Sequence, residues 1–312
     1  MEAILLNLFF VLAGVVLLTK GADWLVAGSS GIAKKFGVSS MIIGLTIVAF
    51  GTSAPELAAT LVSAAHGKGD IAFGNIVGSN ICNIGLILGV AALLKPISIE
   101  KGAIKREIPF MIMASALVYA FAFNYTITRW MGIILLFGFC LFLIYCAKNA
   151  QDPDLKSIDI KESTTKLVVY IVAGGIGLVL GAEVFLRGAV NLAKILGISE
   201  AIISLSLVAL GTSLPELSAS LVATWKKEPS IALGNVIGSN IFNILLVGGA
   251  TATICPFKIS PNFIYIGLPV MLGFSLLLIP FALTKSKITR SEGLIFLVLY
   301  VLYIGWLYGM NH

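Results

Sequence analysis

The chain has 312 residues, of which 58% are hydrophobic and only 12% charged, with a mean hydropathy of +1.03. That is about half the charge fraction of roughly 25% found in soluble domains, which excludes a water-soluble globular protein. The net charge of +6 does not indicate a nucleic-acid binder, because the lysines and arginines are scattered over loops without interleaved aromatics.

In chain order, apolar runs bounded by charge and glycine form ten segments, at about 3–32, 40–66, 70–94, 104–123, 127–147, 167–193, 199–224, 229–254, 261–284 and 291–309. Each is long enough for a helix to cross a hydrocarbon core of about 30 Å. Barrel strands would need alternating stretches of about 10 residues instead. The opening "MEAILLNLFF" has an acid where a leader has a base, and is read as the first membrane helix. Between the fifth and sixth segments lies "KNAQDPDLKSIDIKESTTK", the one long polar stretch. It divides the chain into a first five-helix unit (1–147), a linker (148–166) and a second five-helix unit (167–312).

The two units are the same sequence displaced by 160 residues. "GADWLVAGSSGIAKKFGVS" (21–39) aligns with "GAEVFLRGAVNLAKILGIS" (181–199), "GTSAPEL" (51–57) with "GTSLPEL" (211–217), and "GNIVGSNICNIGLILG" (74–89) with "GNVIGSNIFNILLVGG" (234–249). An odd number of crossings per unit turns the second copy upside down, as in the inverted repeats of secondary transporters. With both termini outside, 15 lysines and arginines fall in inner loops and 5 in outer ones, leaving Lys20 within a segment. That is a positive-inside bias, with the linker cytoplasmic and the protein in the cell membrane. The expected fold is therefore an all-α integral membrane protein of ten transmembrane helices in two inverted repeats, with helices broken at the midplane.

The breaks are expected at Pro55 and Pro215. Proline has no N–H for the carbonyl four residues earlier, so the carbonyls of Gly51 and Gly211 lose their helical partners. A freed carbonyl in lipid costs several kcal/mol unless something satisfies it, and a cation would. Thr52, Ser53, Thr212 and Ser213 bring hydroxyl oxygens beside the breaks, and Glu56 and Glu216 bring carboxylates. Carboxylates at membrane depth are functional candidates by default. In the third and eighth segments Ser79 and Asn83, and Ser239 and Asn243, are four residues apart and share a helix face. Asn80 and Asn240 fall on a neighbouring face, suited to satisfying backbone of the broken helix. Oxygen donors without sulfur or imidazole favour Na⁺, Ca²⁺ or Mg²⁺. A single Gly–Pro kink beside a serine is commonly only a bend, but two copies with matched acids and matched Ser/Asn faces exceed that reading.

Other matched or polar residues carry less. Asp23 and Glu183 stand near Lys20 and Arg187 at helix-surface spacing and read as ion pairs. Cys82, Cys140, Cys146 and Cys255 lie in or at the ends of apolar segments without CxxC spacing and read as small hydrophobes. Trp24, Trp130, Trp225 and Trp306 read as interfacial anchors, and His66 and His312 as solvated.

The paired "GTS-x-PE" and "GN-xx-GSN-xx-N" signatures resemble those of the cation/calcium antiporter superfamily, most closely the prokaryotic Na⁺/Ca²⁺ exchangers, and the resemblance covers the whole chain. It implies four cation sites clustered at the midplane. The first unit would contribute Ala49 through its carbonyl, with Thr52, Ser53, Glu56, Ser79 and Asn83. The second would contribute Ala209 through its carbonyl, with Thr212, Ser213, Glu216, Ser239 and Asn243. Glu56 and Glu216 would be the principal Ca²⁺ ligands, shared with Na⁺. Relatives that co-transport K⁺ have Asp where this chain has Asn243. Ca²⁺/H⁺ relatives have an acid where it has Gly78 and Gly238.

The function implied is Na⁺/Ca²⁺ antiport by alternating access, with Ca²⁺/H⁺ antiport and a cation channel as the rivals. Two ionised glutamates plus Ca²⁺ leave no net charge, whereas three Na⁺ leave +1, so such exchange would be electrogenic. The first and sixth segments, rich in glycine, would slide as a pair over the rest on Gly21, Gly28, Gly181 and Gly188. No intramembrane Ser/His pair or Asp pair suggests an enzyme. The expected partners are Ca²⁺, Na⁺ and the lipid bilayer, with no cofactor, no nucleic acid and no obligate protein partner.

Overall fold

The computed structural model describes residues 2–99, 101–151, 162–197 and 211–310. Ala209, most of the linker and the start of the seventh segment lie outside the described residues.

The chain is helical almost throughout. Its elements are α1 (Glu2–Phe36), α2 (Ser40–Ala65), α3 (Gly69–Leu94), a short α4 (Lys101–Lys105), α5 (Glu107–Ala122) and α6 (Arg129–Lys148). There follow α7 (Thr164–Ile195), α8 (Leu214–Trp225), α9 (Pro229–Ile254), α10 (Leu268–Lys285) and α11 (Arg290–Met310). Among the described residues, eight helical spans are long and apolar enough to cross a membrane. Polar residues start the helices. The Ser163 hydroxyl accepts from the Lys166 N–H at 3.2 Å at the head of α7. Before α11, Thr289 and Glu292 form a reciprocal capping box, with Thr289 N to Glu292 Oε2 at 2.7 Å and Glu292 N to Thr289 Oγ1 at 3.4 Å.

Among the described residues, four two-residue strands sit in the loops, β1 (Ile97–Ser98), β2 (Thr126–Ile127), β3 (Phe257–Lys258) and β4 (Lys287–Ile288). β1 pairs antiparallel with β4, and β2 with β3. Every strand thus pairs with a partner from the other half. The sequence offset carries Ile97 onto Phe257 and Ile127 onto Lys287, turning one pair into the other. The pairs lie at opposite ends of α3. Its first residue, Gly69, abuts the Lys258 carbonyl, and the carbonyl of its last, Leu94, accepts from Arg290 at 3.4 Å. The 26 residues between rise about 39 Å at about 1.5 Å each.

α9 and then α3 are the most buried of the spans, and the main apolar core forms around them. α1 and α11 expose rows of large apolar side chains, among them Leu5, Phe9 and Leu12, and Leu294, Val298 and Val301. Such rows suit contact with lipid rather than water. α1 and α7 run antiparallel along a seam of glycines. A Cβ on Gly21 would come within 2.7 Å of the Leu178 nitrogen, one on Gly174 within 2.4 Å of the Leu25 nitrogen, and one on Gly181 within 2.7 Å of the Leu18 nitrogen. Only a residue without a side chain permits this approach. The glycines therefore face the partner helix of the pair and fasten α1 to α7, where the sequence suggested a smooth surface toward the rest of the bundle.

Candidate ion-binding site

The two most buried helices carry the Ser/Asn faces. α2 and α8 bring the Thr-Ser-x-Pro-Glu motifs against them. Each Asn falls in a π-helical stretch, Asn83 at the start of Asn83–Leu88 and Asn243 within Phe242–Gly248. A π turn widens the helix and is frequent at functional sites. Nothing in the residue types announces it.

The proline motifs differ between halves. In α2 the helix continues through residues 49–65 with Pro55 inside it, and the irregular turn is a π stretch upstream, Gly44–Val48. The expected break is therefore absent from the first half. One missing N–H and one ring are absorbed within a helix whose Thr52, Ser53 and Glu56 face is buried against the rest of the protein. In the second half Thr212 and Ser213 form a turn, and α8 begins at Leu214 with Pro215 in its first turn. Proline suits that position, where its N–H would have no partner anyway.

The structure brings several of the predicted ligands of both halves together, while Ala209 lies outside the described residues and the Asn243 amide makes no hydrogen bond among them. Ser53 donates to Glu216 Oε1 at 2.9 Å, and Ser239 reaches the same oxygen at 3.5 Å. Thr52 lies 3.5 Å from Ser239 and 3.3 Å from the Ala49 carbonyl oxygen. Ser213 donates to Ser79 at 3.5 Å, and Asn83 to Asn240 Oδ1 at 2.9 Å. Glu56 is 1% exposed and Glu216 is fully buried. Both oxygens of Glu56, Oε2 of Glu216, and the Oδ1 atoms of Asn83 and Asn243 are buried acceptors without a hydrogen-bond partner among the described residues. An orphaned polar atom costs about 1–3 kcal/mol, more when charged. Five such oxygens on predicted ligands are what a cation-binding centre presents. No cluster of three or more His, Cys, Asp or Glu side chains occurs among the described residues, so the donor set is two carboxylates amid neutral oxygens.

Two asparagines of the GN-xx-GSN motifs, beyond those read as ligands, also join the centre. Asn75 donates from Nδ2 to the Glu56 carbonyl at 3.3 Å and to Thr60 Oγ1 at 2.8 Å, and accepts from Thr212 at 3.3 Å. Asn235 does the same with the Glu216 carbonyl at 3.3 Å, Ser220 at 2.9 Å and Thr52 at 3.2 Å. The match of Thr60 with Ser220 across the repeat was the available signal.

Other expectations are corrected. Asn80 bonds its own helix, at the Ile76 carbonyl 2.7 Å away, and not a broken neighbour. Asp23 pairs with Lys226 at 2.5 Å rather than with Lys20, while Glu183 and Arg187 pair at 2.8 Å as their spacing suggests. The cysteines Cys82, Cys140, Cys146 and Cys255 are free. One further acid, Glu107, is buried at the start of α5, where it accepts from the Tyr145 hydroxyl.

Fold and site define an all-helical, multi-pass membrane protein with a buried, oxygen-only centre. The chain belongs to the sodium/calcium exchanger protein family, which it matches over residues 6–148 and 166–309. It is 42% identical to CaxA of Alkalimonas amylolytica over 96% of this chain and 97% of that one. It is 35% identical to the sodium/calcium exchanger MaX1 of Methanosarcina acetivorans over 96% of this chain and 98% of that one. It superposes on the solved structure of the sodium–calcium exchanger NCX_Mj soaked with Na⁺ and Ca²⁺ with a TM-score of 0.86, at 35% identity, covering 96% of this chain and 98% of that one. Membership places it among the cation/Ca²⁺ antiporters, which are transporters rather than enzymes.

Proposed function

We propose that the protein exchanges Na⁺ for Ca²⁺ across the cell membrane by alternating access. The observation that carries this reading is the pair of buried carboxylates, one from each half: three of their four oxygens have no hydrogen-bond partner among the described residues, and the fourth, on Glu216, accepts from Ser53 of the opposite half. Glu56 and Glu216 are the principal Ca²⁺ ligands. Thr52, Ser53, Ser79, Asn83, Thr212, Ser213, Ser239 and Asn243, with the carbonyls of Ala49 and Ala209, complete the sites that Na⁺ shares. Ca²⁺ neutralises the two carboxylates, while three Na⁺ leave a net charge worth about 2.3 kcal/mol per 100 mV. Exchange is therefore electrogenic.

The architecture proposed is ten crossings in two inverted halves, 1–147 and 167–312, with both termini outside and residues 148–166 inside. The strand pairs at opposite ends of α3, interchanged by the repeat offset, support the inversion. The α1–α7 pair moves as one body against the remainder, since the glycines along its seam bring the two backbones into direct contact. Coupling to Na⁺ rather than H⁺ is supported at Gly238, where even a Cβ would lie 2.6 Å from the Leu45 carbonyl oxygen and an acid has no room.

The test is ⁴⁵Ca²⁺ uptake into proteoliposomes loaded with Na⁺ and diluted into Na⁺-free buffer, beside vesicles carrying only a pH gradient. Uptake driven by Na⁺ and accelerated by an inside-negative clamp against Na⁺ exit is not expected; an inside-positive clamp should accelerate it. Uptake with the pH gradient alone would make the protein a Ca²⁺/H⁺ antiporter, and uptake needing neither gradient would make it a channel.

A further inference from the structure

We propose that Asn75 and Asn235 are positioning residues, each turning a ligand hydroxyl of the opposite half so that its lone pairs face the cation. This rests on the reading that cations bind among these oxygens.

The argument begins at a group that has only one way to bond. The backbone carbonyl of Glu56 accepts and never donates, so the Asn75 atom 3.3 Å from it must be the amide nitrogen. The same nitrogen reaches Thr60 Oγ1 at 2.8 Å, which fixes the amide from two directions. Asn75 Oδ1 is then the atom facing Thr212, 3.3 Å away. An amide oxygen accepts only, so the Thr212 proton must point to it. A hydroxyl whose proton is committed outward offers lone pairs on its other side. A free hydroxyl could present its proton to an approaching cation and would have to turn first.

The second half repeats the arrangement. Asn235 Nδ2 lies 3.3 Å from the Glu216 carbonyl and 2.9 Å from Ser220 Oγ, and its Oδ1 accepts from Thr52 at 3.2 Å. Thr52 has a second acceptor in the Ala49 carbonyl at 3.3 Å, so its proton is held less singly than that of Thr212. Thr60 and Ser220, the supports of the two amides, are buried. A residue needed only to pack α3 on α2, or α9 on α8, would bond within its own half. Each asparagine instead spends its oxygen on the other half, joining the backbone of one glutamate to a threonine hydroxyl from the motif of the other. Ligand orientation by a partner outside the coordination shell is a common device of metal sites, and it alters affinity without touching the ion.

The experiment is a double-mutant cycle read as equilibrium ⁴⁵Ca²⁺ binding to purified protein in Na⁺-free detergent solution. N75A and T212V should each weaken binding about tenfold, and the double variant no more than about threefold beyond the weaker single. T60V, which leaves the amide on the Glu56 carbonyl, should change binding less than about threefold. Independent losses multiplying to about a hundredfold in the double variant would overturn the proposal. So would a cycle in which N75A is silent only when T60V is present, since Asn75 would then act by bracing α2. If N75A does not fold, N235A with T52V tests the same relation in the other half, with smaller single losses because Thr52 keeps the Ala49 acceptor. Flux is assayed in parallel: wild-type protein that binds Ca²⁺ but does not exchange it for Na⁺ would defeat the Na⁺ coupling, while the binding cycle would still decide the roles of the asparagines.

Discussion

The hairpin of α2 and α3 and the hairpin of α8 and α9 carry the same ligand types at the same spacing, yet they do not have the same shape. Pro55 sits inside a continuous helix, whereas Pro215 opens one after a turn. On α3, Gly74 and Asn75 are half-buried and Gly78 is exposed; on α9, Gly234, Asn235 and Gly238 are all buried, with the glycines against the π stretch of α2. Thr52 is fully buried, and Thr212 is only half-buried. One sequence pattern therefore supports two backbone courses, one closed over its half of the site and one more open. In the inverted architecture proposed above, such an unequal pair of conformations would give access from a single side of the membrane.

The largest expected effects strike what the halves share. E56Q and E216Q should each lower ⁴⁵Ca²⁺ exchange by about a hundredfold or more, since losing one of two charges removes the main attraction for a divalent ion. They should part in stability: E216Q disturbs the 2.9 Å bond from Ser53, whereas the Glu56 carboxylate oxygens make no hydrogen bond of normal geometry among the described residues. Thermal unfolding in detergent without Ca²⁺ should show E56Q at or above the wild-type Tm. A clear fall in Tm for E56Q would mean that its carboxylate is held by the protein.

The next effect sharpens the glycine comparison. G238A drives a methyl to 2.6 Å from the Leu45 carbonyl oxygen and should destabilise by about 2 kcal/mol while stopping exchange. At Gly78 a Cβ meets nothing within 4 Å among the described residues, and G78A should change stability by less than about 1 kcal/mol. Equal costs at the two positions would erase the asymmetry.

The prolines give a smaller and opposite pair. P55A restores an N–H inside a helix and should stabilise by about 1–3 kcal/mol, with exchange reduced because the Gly51 carbonyl regains a protein partner. P215A, at a helix start, should alter stability by less than about 1 kcal/mol. Smallest of all is E183Q. It breaks an exposed ion pair to Arg187, and exchange rate and Tm should both stay near wild type, as surface pairs contribute about 0–1 kcal/mol.

What the residues disclosed in advance follows from range. The apolar helices, the sequence repeat and the Ser, Thr, Asn and Glu side chains that meet in the buried centre are legible because each is a local pattern repeated at one offset. The π stretches at Asn83 and Asn243 are not, because they answer to packing rather than to residue type. The Asp23–Lys226 pair joins positions far apart in sequence, so helix spacing pointed to Lys20 instead. Pro55 misled in the other direction: its missing N–H was correctly noted, but whether a helix breaks or absorbs the loss depends on what surrounds it. Asn75 and Asn235 were in plain sight within the quoted motifs. Their role appears only when the opposite half supplies a hydroxyl.

The crossed strands bear on assembly. β1 needs β4 and β2 needs β3, so neither half can complete its own edges. Half of the chain produced alone would be a piece whose natural complement is the other half. Cutting the polypeptide within residues 148–166 and producing both pieces together should restore the whole, while either piece alone should be cleared by the cell. Seen this way, the linker supplies stoichiometry, and the mutual edges supply the fit.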